Sequence, residues 1–183
     1  STTPLHHPIL PLLHDTAAAR EADPQATIQG VTFRWPEDAH EQVVRGRALV
    51  RERMGRAPAG LWPSEGSLSD PVVRMLDGLG IAWTAGDRQV LDRSLEAAGV
   101  HAGPSPHLRP WRLNGTGGPV LFFRDTDLSD RIGFSYARWS ADDAVADLLA
   151  RARALAVADP GATCLPIVLD GENAWESYED RGI

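Results

Sequence analysis

The stretch IAWTAGDRQVLDRSLEAAG, residues 81–99, decides the fold class. A short apolar run, IAWTA (81–85), ends near Asp87 and gives way to helical spacing over about 88–98. Strand followed directly by helix is the repeating unit of a parallel sheet. Working outward, the same order recurs. PAGLW (58–62) reads as a brief strand running into Pro63-Ser64-Glu65-Gly66, and Ser69-Asp70-Pro71 then starts a helix that Gly80 ends. PVLFF (119–123) reads as a strand ending at Arg124-Asp125, with short helical or irregular structure over 126–139. Ser140-Ala141-Asp142-Asp143 has capping-box spacing and opens a helix to about Val157. CLPIVL (164–169) reads as a further strand, stopping at Asp170. Upstream, 9–20 predicts a short helix and 36–54 a long one, with Pro36, Glu37 and Asp38 suited to its first turn and Gly55 to its stop. A Gly/Pro/His-rich loop fills 99–118.

The expectation is an α/β fold with parallel strands and flanking helices. The strands are apolar on both faces, as in a covered parallel sheet. Polar residues gather just beyond them: Trp62 to Glu65, Asp87, Arg124-Asp125 and Asp170 to Trp175. In α/β barrels such strand ends form the active-site rim. Solvation is the alternative reading, and acids and aromatics together after four successive strands weigh against it.

Composition narrows the function. The 183 residues carry a formal charge of −7, and every basic residue is an Arg spread along the chain, so no basic stripe for nucleic acid is present. The single cysteine, Cys164, excludes an internal disulfide and a Cys-rich metal site, and reads as a small buried hydrophobe. No apolar run approaches the roughly 18 residues of a membrane span. No signal peptide is visible, and the expected location is cytoplasmic. No phosphate loop is convincing, because Gly115-Thr116-Gly117-Gly118 lacks the Lys and the strand-to-helix setting.

Trp and Tyr beside carboxylates suit sugar binding, since aromatic faces stack on pyranose CH surfaces while acids bond the hydroxyls. Two carboxyls flanking a glycosidic bond can cleave it. Glu65 and Asp170 are the best pair: each follows a predicted strand, has a Trp nearby (Trp62, Trp175) and adjoins a Gly. The competing chemistry is metal-based. His6-His7-Pro8, His14-Asp15, Asp87 and Asp125 offer ligands, although His7 and His14 have no recognised metal spacing. His40, His101 and His107 read as surface or loop residues.

In order along the chain stand STTPLHHPILPLL, FRWPEDA, GLWPSEGSLSD, FFRDTDLSDRIGFSY and VLDGENAWESY. Together they resemble glycoside hydrolase family 57, on its amylopullulanase and α-amylase side. The resemblance implies part of an incomplete (β/α)7 barrel and a retaining, double-displacement reaction on α-linked glucans such as starch, amylopectin or maltooligosaccharides, by hydrolysis or by glucan transfer. It implies that Glu65 is the nucleophile and Asp170 the general acid/base. It places His7, Trp35, Trp62, Asp87, Arg124, Asp125, Glu172 and Trp175 around the substrate, with no metal and no cofactor. Gly86-Asp87-Arg88 stands where Thr-Asp-Glu is usual, and Leu5 and His6 where aromatics are common. These departures bear on fine specificity. The family's first histidine motif is missing, the chain opens on Ser1 and it stops at Ile183. We therefore expect residues 1–183 to be a fragment of one catalytic barrel, truncated at both ends and lacking part of its cleft. Two alternatives stand beside this reading: a metal-dependent carbohydrate deacetylase or mannosidase on a related barrel, and a barrel that binds glucan without cutting it.

Overall fold

The computed structural model describes the chain except residues 29, 31, 116, 170, 172–174 and 180–183. The fold is mixed α/β. Strands β1 (Gly60–Leu61), β2 (Trp83–Gly86) and β3 (Val120–Phe123) form a parallel sheet in that order. The helices are α1 (Leu10–His14), α2 (Ala19–Ala22), α3 (Pro36–Met54), α4 (Asp70–Gly78), α5 (Arg88–Ala97), α6 (Thr126–Asp130) and α7 (Ala141–Ala158). The chain divides into two compact units, Ser1–Gly86 with Trp111–Phe122, and Asp87–Pro110 with Phe123–Ile183.

In the first unit, β1 lies parallel to β2 with Gly60 opposite Trp83 and Leu61 opposite Thr84. The buried Thr84 hydroxyl donates to the Leu61 carbonyl at 2.8 Å. Gly60 is required here, because a Cβ would lie 2.0 Å from the Trp83 ring. On the other edge of β1 the N-terminal segment pairs in parallel through Thr2. The Thr2 N–H donates to the Gly60 carbonyl, and the Trp62 N–H to that of Thr2. Helix α3 has the predicted bounds. It buries Ala39, Val43 and Gly46, spaced as one helical face. A Cβ on Gly46 would sit 2.4 Å from the Thr3 carbonyl oxygen, so this glycine admits the N-terminal segment against the helix. Leu10, Ala39, Val43, Leu61, Val72, Leu76 and Ile81 form the core, contributed by α1, α3, β1, α4 and the approach to β2.

The helix expected over 9–20 is broken. Asp15 is extended, at φ −162°, and its carboxylate accepts the Ala17 N–H, ending α1 and starting a separate 3₁₀ turn at Thr16–Ala18. An Asp competing for backbone N–H groups interrupts a helix in this way. The strand expected over 58–62 shortens to Gly60–Leu61.

In the second unit, Asp87 caps α5 by accepting the Gln89 N–H, Asp125 caps α6 at the Leu128 N–H, and Ser140 caps α7 at the Asp143 N–H. The strand expected at 164–169 is corrected: the segment does not join a ladder. Pro166 has no N–H to donate. The segment is instead held at separate points. The Leu108 carbonyl accepts the N–H groups of Thr163 and Cys164, the Pro166 carbonyl accepts the Asp125 N–H, and the Val168 N–H donates to the Ser129 hydroxyl. Cys164, expected to be buried, is half-buried. No helix among the described residues is long and apolar enough to cross a membrane.

Candidate active site

The parallel pairing of the N-terminal segment with β1 sends both chains out at the same end of the sheet. His7 follows one and Glu65 the other. His7 Nε2 lies 3.5 Å from Glu65 Oε1, and the side chains are 40% and 76% exposed, so the pair faces solvent. His7 Nδ1 is 3.3 Å from the Thr3 hydroxyl. When Thr3 donates to Nδ1, the ring proton sits on Nε2 and points towards the carboxylate.

His7 and Glu65 share a second property. Among the described residues they are the non-glycine positions with positive φ, at 55° and 56°. That conformation costs a residue with a Cβ about 1–2 kcal/mol, and it persists where the surroundings over-determine it. Around Glu65 they do. Pro63, Ser64 and Gly66 are buried, the Gly66 N–H donates to Pro63, and both the N–H and the hydroxyl of Ser67 donate to the Ser64 carbonyl. The buried Ser64 hydroxyl has no partner among the described residues. The turn thus hides its backbone and presents one carboxylate. Trp62 is half-buried on the same segment. In the same unit Trp35 is exposed and stacked on Phe33, with ring centroids 5.9 Å apart and planes 24° from parallel.

The second unit holds the other described candidates. Arg124 donates to Asp87 at 2.8 Å and to Asp130 at 2.9 Å. Burial lowers the Arg124 pKa, but these two carboxylates outweigh it and raise it above the usual arginine value. Asp87 therefore caps α5 with one oxygen and holds Arg124 with the other. Asp125 is 4% exposed. One of its oxygens accepts the Leu128 N–H and the other lies 2.9 Å from His107 Nε2. Burial raises its carboxyl, but the bonds from His107 and Leu128 and the field of His107 and Arg88 hold it below its ordinary 3.8. Trp175 is exposed and meets Tyr178 edge to face at 5.2 Å, and the Tyr178 hydroxyl donates to the Ile132 carbonyl. Asp170 and Glu172 lie outside the described residues.

His107, expected to be a surface or loop residue, lies in a 3₁₀ turn of the 99–118 loop, as expected of a loop residue, but is 1% exposed and not on the surface. Its apolar neighbours Pro106 and Leu108, both buried, were the available signal. Among the described residues no three His, Cys, Asp or Glu side chains are grouped so as to hold a metal ion. His7 faces Glu65, Asp87 faces Arg124 and Asp125 faces His107.

Glu65 is thus a strained, solvent-facing glutamate just beyond a strand, with Trp62 on the same segment. The sequence profile of glycosyl hydrolase family 57 matches residues 1–183, and the chain belongs to that family. It is on that ground a glycoside hydrolase with a carbohydrate substrate. No curated protein matches the chain.

Proposed function

We propose that the protein is a retaining α-glucan hydrolase or glucanotransferase in which Glu65 is the nucleophile and Asp170 the general acid/base. The observation that supports this most is the presentation of Glu65: exposed, held at φ 56° and faced by His7. In the first step Glu65 attacks the anomeric carbon as its bond to the leaving sugar breaks, and Asp170 gives its proton to the leaving oxygen. In the second, Asp170 takes a proton from water or from an acceptor sugar hydroxyl, whose oxygen displaces Glu65 from the anomeric carbon. Retention calls for carboxyls about 5–5.5 Å apart. His7 directs its ring at one Glu65 oxygen, which fixes the carboxylate and leaves the other oxygen for attack.

Trp35, Trp62 and Trp175 supply aromatic surface for pyranose rings, with Asp87, Arg124, Asp125 and Glu172 assigned to the polar surroundings of the substrate. The parallel β1-β2-β3 sheet with its helices supports placing the chain in an incomplete (β/α)7 barrel. Starch, amylopectin and maltooligosaccharides are the substrates this reading favours.

In the intact protein, Asp170→Asn is expected to lower maltooligosaccharide turnover by about 10²–10⁴-fold, and Glu65→Gln to abolish it, both with binding kept in calorimetry. Unchanged turnover in either variant removes that residue from the mechanism. Binding without any release of reducing ends by the unmutated protein means a glucan-binding barrel instead.

A further inference from the structure

We infer that the buried His107–Asp125 pair is a positioning device for the segment that leads to Asp170, an inference that rests on the proposed role of Asp170. Residues 163–168 form no ladder, so their placement depends on the bonds that grip them one at a time. Among the described residues, each of those grips is tied to this pair. Thr163 and Cys164 donate to the carbonyl of Leu108, the residue next to His107. Pro166 accepts from the backbone N–H of Asp125 itself. Val168 donates to Ser129, buried within α6, the helix whose first turn Asp125 caps through Leu128.

The 2.9 Å bond between His107 Nε2 and Asp125 Oδ2 therefore joins the loop that holds the start of the segment to the helix cap that holds its end. Both partners are removed from water, where a hydrogen bond to a charged group is strongest and its loss is least compensated. Val168 lies two residues before Asp170 in the sequence. A shift in the grips moves the described end of the segment at Val168, two residues short of Asp170. Neither His107 nor Asp125 need touch a sugar for this. They act by setting where the segment ends.

The test compares His107→Leu with His107→Gln in the intact protein. Leu removes the donor, whereas Gln keeps an N–H of similar reach. Misplacing a reacting group by about an ångström costs up to about 10²-fold in rate. His107→Leu is therefore expected to lower kcat on maltooligosaccharides by about 10- to 100-fold, with KM within about twofold. It should also speed amide exchange at Thr163, Cys164 and Val168. His107→Gln should restore most of both. Unchanged kcat, or unchanged exchange at those three amides, overturns the inference. If His107→Leu does not fold, His107→Asn, whose amide is too short to reach Asp125, is read in its place, with the same expected and contrary outcomes. The Asp170→Asn variant separates the two readings. If it turns over normally, the assignment of the acid/base fails, whereas the exchange at 163–168 still reports whether the pair holds the segment.

Discussion

Glu65 combines exposure with backbone strain, and the two have one cause. The turn over 63–67 spends its hydrogen bonds inward, so the remaining side chain is pushed outward in a left-handed conformation. That conformation costs a residue with a Cβ about 1–2 kcal/mol relative to glycine. Glycine in turn costs about 0.5–1 kcal/mol in unfolded-chain entropy. Glu65→Gly is therefore expected to be more stable than Glu65→Ala by up to about 1 kcal/mol in urea unfolding, the reverse of the order in a helix. If alanine is the more stable of the two, the strain is not there. The sequence named Glu65, His7 and Trp62, but nothing in it announced the positive φ shared by His7 and Glu65. A backbone conformation imposed by tertiary packing leaves no residue-type signature when the position is not glycine. The burial of His107 escaped for a related reason: its partner Asp125 lies on another element, and a loop rich in Gly and Pro hides a long-range bond.

At the scale of elements, the site depends on two close backbone approaches. Gly60 lets the Trp83 indole rest on β1, and Gly46 lets the segment carrying His7 lie on α3. Gly46→Ala places a methyl against the Thr3 carbonyl, which is backbone and cannot swing aside. The expected cost is about 1–3 kcal/mol in stability. A fall in kcat should accompany it, because His7 moves with Thr3; the variant is read by urea unfolding beside maltooligosaccharide kinetics. Lost stability with unchanged kcat would mean that His7 does not orient Glu65. The long helix α3 and the capped helices α5 and α7 were legible because capping and apolar spacing are local. The segment 164–169 was not, since its apolar residues resemble a strand, while Pro166 lacks an N–H and the segment bonds singly to Leu108, Asp125 and Ser129.

For the whole molecule, acid sensitivity follows from the second unit. Asp125 is held below its ordinary 3.8 when folded, so it contributes stability that is fully present above that value. The contribution is lost as pH falls through the lower folded value. Melting temperatures of the unmutated protein and Asp125→Asn are expected to differ most near neutrality and to converge below about pH 4. A gap that stays constant through that range would mean that the ionised carboxylate adds nothing. The mixed α/β class with parallel strands was legible from the strand-helix order, and the carbohydrate class from the carboxylate and tryptophan clusters that follow the predicted strands.

In the proposed reaction Glu65 carries the sugar between the two steps. A slow fluorinated α-glucosyl fluoride should trap that intermediate on the intact protein, and peptide mass spectrometry then locates it. The expected result is a single glucosyl adduct on the peptide containing Glu65, absent from Glu65→Gln. An adduct on another carboxylate, or brisk turnover of the reagent with inversion at the anomeric carbon, would rule Glu65 out as the nucleophile.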